Sequence, residues 1–155
     1  MSHNQRSRWG GLLRLLRLPI KNWLLAVEAA LELMLMKVLV LLVPPARYGW
    51  LVAGPAPGST PSWSKEAVRD LVWAVESVGQ YASKTFSCLP RALALQRMLC
   101  RRGLRGTVRF GVKKHNGVVL AHAWLVLDGY VLIGRLADLE EYMPFPEWPK
   151  TSSKT

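Results

Sequence analysis

The first third of the chain is dominated by apolar residues at helical spacing. Residues 9–18, WGGLLRLLRL, place leucines and arginines three and four positions apart, which predicts a short basic amphipathic helix. Such a segment packs on the protein more often than it anchors to lipid, and we favour packing. A longer apolar run covers residues 23–43 and ends at Pro44-Pro45, where a helix must stop.

Charged residues inside the second run decide between a membrane span and a buried helix. The run is long enough to cross a bilayer, but it contains Glu28, Glu32 and Lys37, and each costs roughly 2.5 to 3.5 kcal/mol near a bilayer centre. Glu28 and Glu32 share one face at i, i+4. The pattern therefore favours a long, mostly buried helix with one wet stripe, and peripheral membrane association stays open as the alternative.

The rest of the chain is divided by a Pro- and Gly-rich segment and by a change in the spacing of its apolar residues from helical to alternating. Residues 54–61, GPAPGSTP, form a linker by composition, and a helix with one apolar face follows from Ser62 or Ser64. From Gly106 the apolar residues alternate with period two, and two dipeptides, Asn116-Gly117 and Asp128-Gly129, are hairpin signals. Residues 106–134 therefore predict an antiparallel three-stranded meander. We expect a helical segment and linker over 1–61, a core over 62–145 and a flexible tail over 146–155.

One predicted helix carries both cysteines. In SCLPRALALQRMLCRRG, Ser87 is a plausible cap, Pro90 falls in the first turn and Gly103 ends the helix. Cys88 then lies at the helix N-terminus, where unpaired amides and the positive end of the dipole stabilise a thiolate and can donate to an oxyanion. Cys100 lies at the opposite end, roughly 18 Å away, so the two cannot form a disulfide and Cys100 reads as a small core residue.

A base for Cys88 is found among three histidines. His3 lies near the N-terminus and His115 beside a turn, whereas His122 falls in mid-strand between two alanines, with Trp124 on the same strand face. A cysteine at a helix start and a histidine on a following antiparallel strand is the layout of Cys–His acyl transfer, in which the imidazole activates the thiol.

Charge and cysteine content narrow the partners and the compartment. Lys plus Arg outnumber Asp plus Glu by 21 to 10, which gives a formal net charge of +11 and favours an acidic peptide or surface. Nucleic acid is not expected, because no basic cluster with stacking aromatics or reading helix occurs. Two cysteines do not make a disulfide framework, and no secretory signal is indicated, so we expect the cytoplasm. We expect neither a cofactor nor a metal.

Several of these segments together resemble a known enzyme family. The blocks are Cys88-Leu-Pro-Arg-Ala-Leu-Ala-Leu, Arg101-Arg-Gly, Gly111-Val-Lys, Ala121-His-Ala-Trp and Asp128-Gly129. They resemble the leader peptidases of lasso-peptide biosynthesis, the microcin-processing family of transglutaminase-like cysteine proteases, over roughly residues 65 to 145. The resemblance implies an α+β, papain/transglutaminase-like fold with N-terminal helices packed on a small antiparallel sheet.

The same resemblance implies an activity and its partners. Cys88 would be the nucleophile and His122 the base of a protease that cuts the leader from a precursor peptide, after which an ATP-dependent cyclase closes the ring. Some relatives carry a leader-recognition domain, for which the sequence before the core is too short. We therefore expect a separate leader-recognition protein, and an acidic leader or partner would suit the net charge.

The third member of the family's usual Cys–His–Asp triad is left open. Asp128 falls in the predicted turn, and the six residues that separate it from His122 span roughly 20 Å of strand. Across the predicted hairpin the position that faces His122 is 135, and the aspartate of transglutaminase-like relatives would fall at about Gly134. Neither Gly134 nor Arg135 carries a carboxylate. Asp138, or a backbone or amide oxygen, remains as the group that could orient the imidazole.

An oxyanion donor and two other functions also stay open. Gln80 lies eight residues before Cys88, near where papain-like enzymes keep a glutamine, although surface glutamines are common. The same Cys–His pair could transfer the acyl group to an amine, as transglutaminases do. In a third hypothesis the chain is a non-catalytic, basic, membrane-associated protein in which Cys88 only packs.

Overall fold

The computed structural model describes residues 19–44, 64–81 and 87–145. Within these ranges the helices are α1 (Ile20–Leu42), α2 (Lys65–Tyr81) and α3 (Cys88–Cys100), and the strands are β1 (Thr107–His115), β2 (Val118–Leu127), β3 (Tyr130–Ile133) and β4 (Met143–Pro144), with a 3-10 helix at Leu139–Glu141. The expected α+β class is confirmed. The expected amphipathic helix at 9–18, the linker at 54–61 and the tail at 146–155 lie outside the described residues.

The strands form one antiparallel sheet in the order β3-β2-β1-β4. The predicted meander is confirmed, and each turn begins with a residue in the left-handed region, Asn116 with φ 49° and Asp128 with φ 48°. The prediction lacked β4, which pairs with β1 through Gly111 and Val112. A two-residue strand is too short to show an alternating pattern, so the sequence contains no signal for it.

Local capping and one apolar face explain α2. The hydroxyl of Ser64 accepts a hydrogen bond from the Ala67 amide at 3.1 Å, which confirms one of the two predicted caps. Val68, Leu71 and Val75 are buried on the predicted face. The helix packs on α1 and α3 and touches β3.

Helix α3 is the most buried element, because it packs on α1, α2 and β2. Eight of its residues are buried: Pro90, Ala92, Leu93, Ala94, Leu95, Gln96, Met98 and Leu99. The Gln96 side chain is 1% exposed, and its amide nitrogen donates to the Gly106 carbonyl at 2.7 Å. This bond ties the middle of α3 to the residue before β1.

The expectation of a mostly buried α1 with a wet acidic stripe is wrong. Glu32 is only 5% exposed, and Glu28 and Glu32 form ion pairs with arginines at the end of α3. The exposed side of α1 is apolar instead, and it includes Leu24 and Leu31. The acids face inward because Arg97 of α3 and Arg101 and Arg102, which follow it, neutralise them there. None of the helices in the described ranges combines the length and apolar character that crossing a membrane requires.

Candidate active site

Cys88 is the first residue of α3, as the capping signals predict. Ser87 is the N-cap residue, in extended conformation, but its side chain makes no capping hydrogen bond. The Ser87 side chain therefore does not occupy the first amides of α3, and these amides point in the direction in which a thiolate or an oxyanion would be stabilised. The Cys88 thiol is free and partly exposed, as a nucleophile must be.

Cys100, at the other end of α3, is partly exposed like Cys88, so the expectation that it is a core residue is wrong. Burial raises the pKa of the Cys100 thiol, and the charge of Arg105 opposes this only in part. Cys100 is therefore held as a neutral thiol near pH 7.

Arg91 links the first turn of α3 to the last turn of α2. Its Nη2 donates to the Gly79 carbonyl at 2.6 Å, and its Nη1 lies 3.9 Å from a carboxylate oxygen of Glu76. Gln80 follows Gly79 directly and is exposed. The end of α2 is thus fixed near the start of α3, and the role of Gln80 as an oxyanion donor stays a prediction.

The imidazole of His122 is oriented by a backbone carbonyl. Its Nε2 lies 2.7 Å from the Gly134 oxygen. Because a carbonyl can only accept, Nε2 carries the hydrogen, and in the neutral ring the lone pair is then on Nδ1. This is one of the groups the sequence left open, a backbone oxygen in place of a carboxylate. Nδ1 is the atom available to take a proton.

Gly134 can reach His122 because it has no side chain. Its φ is +81°, and a Cβ there would lie 2.7 Å from the Ala123 oxygen and 2.9 Å from the Trp124 Cβ. The β2–β3 register shifts by one residue between Leu125 and Val126, so the pairing assumed from the sequence does not extend to His122. The sequence therefore located the right segment but not the contact.

Two aromatic rings enclose the imidazole. Trp124 stacks on His122 with ring centroids 6.1 Å apart and an interplanar angle of 18°, which confirms that the two share a strand face. Tyr142 approaches with centroids 5.6 Å apart. Both aromatic residues are buried, so they fix the ring plane of His122 and limit its contact with water.

The two aspartates considered as third members have other positions. Asp128 is exposed in the β2–β3 turn, as predicted. The Asp138 carboxylate pairs with Lys113 of β1, which also lies 3.3 Å from Glu141 and 5.1 Å from the centre of the Tyr142 ring. Lys113 thus ties the segment after Gly134 to the sheet. The sequence analysis did not identify Lys113 or Tyr142 near His122. Lys113 could have been found, because it shares a strand face with Gly111, which pairs with His122 across β1 and β2.

Helix α3, which begins at Cys88, packs on β2, the strand that carries His122. The Gln96–Gly106 bond anchors the middle of α3 at the residue before β1. Cys88 lies eight residues before Gln96, roughly 12 Å along the helix axis. Gly111, which pairs with His122, lies five residues beyond Gly106, roughly 16 Å along the strand.

Within the described ranges no hydrogen bond joins Cys88 to His122. Catalytic hydrogen bonds are often long without substrate and tighten on binding, so the open distance is compatible with a dyad. In the same part of the chain no group of three His, Cys, Asp or Glu side chains could hold a metal ion.

Comparison with known proteins gives one result. A family model described as the transglutaminase-like superfamily matches residues 33–146. Searches of curated proteins and of solved structures gave no match. The family match starts inside α1 and includes α2, α3 and all four strands. Because it covers well over half of the 155 residues, the chain belongs to the transglutaminase-like superfamily.

Proposed function

We propose that the protein is a cysteine peptidase that removes the leader from a ribosomally made lasso-peptide precursor. Membership of the superfamily suggests activity of the cysteine protease or acyltransferase type. The observation that carries the proposal is the His122 imidazole, whose Nε2 is held by the Gly134 carbonyl and whose Nδ1 is left to act as base. The resemblance of the blocks around Cys88 and His122 to leader peptidases supplies the substrate class.

The proposed reaction has two steps. His122 Nδ1 takes the Cys88 proton, the sulfur attacks the scissile carbonyl carbon, and the amides at the start of α3 donate to the oxyanion. The C–N bond breaks as the imidazolium protonates the leaving nitrogen, which leaves a thioester on Cys88. Water then attacks the thioester, His122 takes its proton, and the leader carboxylate leaves as the thiol is restored.

The proposed partners follow from charge and from the resemblance. A net charge of +11 favours an acidic leader or an acidic recognition protein, since opposite charges steer association. In this proposal a separate protein recognises the leader before cleavage, and an ATP-dependent cyclase closes the ring afterwards. Both steps take place in the cytoplasm.

The decisive experiment is incubation with the precursor peptide encoded beside this protein, with and without a leader-binding partner, followed by mass spectrometry. We expect one cleavage at the junction of leader and core. Cys88→Ala and His122→Ala should each abolish it, and Cys100→Ala, at the matched cysteine of the same helix, should leave it unchanged. Cleavage that survives Cys88→Ala would refute the mechanism.

Acyl transfer to an amine is the second candidate, because the superfamily includes both outcomes of the thioester. The same incubation with a primary amine such as dansylcadaverine separates the two. A peptidase gives mainly the free carboxylate, whereas a transferase gives mainly the amide, and the ratio of the two products decides the assignment.

A further inference from the structure

Helix α1 carries an apolar stripe on the side that faces away from the core. Seven side chains form it, each between 47% and 76% exposed: Ile20, Leu24, Val27, Leu31, Met34, Val38 and Leu41. We call this set the α1 seam. Trp23, Leu35 and Leu42 border it and are also exposed. The opposite face of the helix, with Ala29, Leu33 and Met36, is buried.

The spacing of the seam selects a helical partner. Its members follow one another at intervals of four and three residues in strict alternation, which is a heptad repeat over about 32 Å of helix. A 3.5-residue period keeps a seam in contact with a second α-helix along its length. A flat lipid surface imposes no such register, because an interfacial helix needs only a broad apolar face.

The exposed area is large enough for a stable interface. Monomeric proteins rarely expose contiguous apolar patches beyond a few hundred Å². The seam with its three bordering side chains exposes on the order of 1,000 Å² of apolar surface, which compares with the roughly 800 Å² per partner of a standard interface. A helix that is apolar on both faces is normally buried on both.

The charges beside the seam do not fit an anionic surface. The Lys21 amine lies 2.8 Å from an Asp70 carboxylate oxygen, and Glu28 is bound to Arg101 and Arg102, so two of the bordering charges are engaged within the protein. One of them, Glu28, is acidic, Lys37 is a second lysine beside the seam, and the seam itself contains no charge. An anionic membrane would be matched by a basic rim on both sides of the stripe.

We propose that the α1 seam is a dimer interface, occupied by the α1 seam of a second copy of this chain. The seam is apolar along its length and so can face an identical seam without burying an unpaired charge. Each copy carries a net charge of +11, so the copies repel at long range and the dimer strengthens as salt screens that repulsion. Attachment to an acidic surface would weaken with salt instead.

Sedimentation velocity on the full chain, across micromolar concentrations and at low and high salt, tests the proposal. The wild type should dimerise, more tightly at high salt. Leu31→Glu, in the centre of the seam, should raise the dimer dissociation constant by at least about 30-fold. Val119→Glu is the matched control, since it places the same charge on an aliphatic residue of similar exposure on β2 and should leave dimerisation unchanged.

Two further measurements keep the test decisive. Circular dichroism shows that each variant is folded, and the uncharged Leu31→Gln should also weaken the dimer, though less than Leu31→Glu. A wild type that stays monomeric at all salt concentrations, or a dimer that survives Leu31→Glu, overturns the proposal. So does a monomer that binds phosphatidylglycerol vesicles through the seam and is released by salt.

Discussion

The two ends of α3 are built in different ways. At its start, Cys88 is partly exposed and the side chain of the N-cap residue, Ser87, makes no capping hydrogen bond. At its end, three arginines bind acids of α1 through a network of ion pairs: Arg97, Arg101 and Arg102 with Glu28 and Glu32. One end is left available for chemistry and the other is fixed in place.

The helix dipole explains which charge each end of α3 favours. The positive N-terminal end favours an anion, which the proposed thiolate and oxyanion would supply during reaction. The negative C-terminal end favours cations, and the arginines provide them permanently. Packing, the Arg91 contact with α2 and the ion pairs at the far end together hold the helix. We therefore expect that each end can be perturbed without the other.

The largest effect should come from Gly134→Ala, beside His122, the candidate base for Cys88 at the open end. A Cβ would lie 2.7 Å from the Ala123 oxygen, so the backbone must shift and the Gly134 carbonyl leaves the His122 imidazole. We expect kcat/KM for precursor cleavage to fall about 100-fold, because an imidazole without its partner loses its orientation and tautomer. Steady-state cleavage kinetics measure the loss.

Gly129→Ala is the matched control for that substitution. Gly129 has φ +83°, close to the +81° of Gly134, but a Cβ there would meet no atom within 4 Å. Both variants therefore carry the same backbone strain, of about 1 kcal/mol, and only Gly134→Ala displaces the carbonyl. Equal kinetics in the two variants would show that the Gly134 contact does not position His122.

The next effect should come from Glu32→Gln, at the fixed end. Glu32 is 5% exposed and lies 2.5 Å from Arg101 and 3.1 Å from Arg97, the latter without hydrogen-bond geometry. Removing its charge leaves arginines that are partly solvated, so we expect the free energy of unfolding to fall by about 2 kcal/mol, less than for a fully buried pair.

Urea unfolding of Glu32→Gln checks this prediction, with Asp70→Asn as the control. Asp70 pairs with Lys21 at the surface, where loss of the pair should cost less than 1 kcal/mol. The activity per folded molecule should stay at the wild-type level in Glu32→Gln. A large loss of activity in the folded variant would mean that the two ends of α3 are coupled.

A smaller difference should appear between the two thiols. Both cysteines are partly exposed, but burial raises the pKa of the Cys100 thiol, whereas Cys88 lies at the positive end of the helix. We expect iodoacetamide at pH 7 to alkylate Cys88 at least about tenfold faster than Cys100. Peptide mapping by mass spectrometry gives both rates in one sample, and Cys100→Ser leaves the Cys88 rate unchanged. Equal rates would favour the hypothesis that Cys88 only packs.

Features set by neighbouring residues were predicted from the sequence. Three features depend on short-range signals, and all are present: the start of α3 with Pro90 in its first turn, the apolar face of α2 and both hairpin turns. His122 and Trp124 share a face because strands alternate. These signals were enough to indicate the sheet and the helix that carry the candidate dyad.

Features set by distant residues were not predicted. Which face of α1 turns inward depends on arginines more than 70 positions away, such as Arg101 and Arg102 at Glu28. The Gly134 carbonyl reaches His122 through a register shift in β2, and Lys113 holds Asp138 across 25 positions. The spacing of Glu28 and Glu32 suggested a wet acidic stripe, and the family resemblance left Asp138 or a backbone or amide oxygen as the partner of His122. A pattern of single residues cannot show which pairs meet in space.

The smallest effect should be a pH dependence of stability at the fixed end. A hydrogen bond from Arg102 holds the pKa of Glu28 below its ordinary value of 4.5, against a smaller opposing effect of burial. Above pH 4.5 Glu28 is ionised in both the folded and the unfolded chain, so its ion pairs stabilise the fold fully. Below pH 4.5 the unfolded chain binds the proton first, and this stabilisation is lost as the pH falls through the lower folded pKa.

Urea unfolding at pH 6, 4.5 and 3.5 should therefore show a steeper fall in the free energy of unfolding for the wild type than for Glu28→Gln. The difference should be less than about 1 kcal/mol because the pair is partly exposed. Parallel losses in the two proteins would mean that the arginines at this end do not depend on the Glu28 charge.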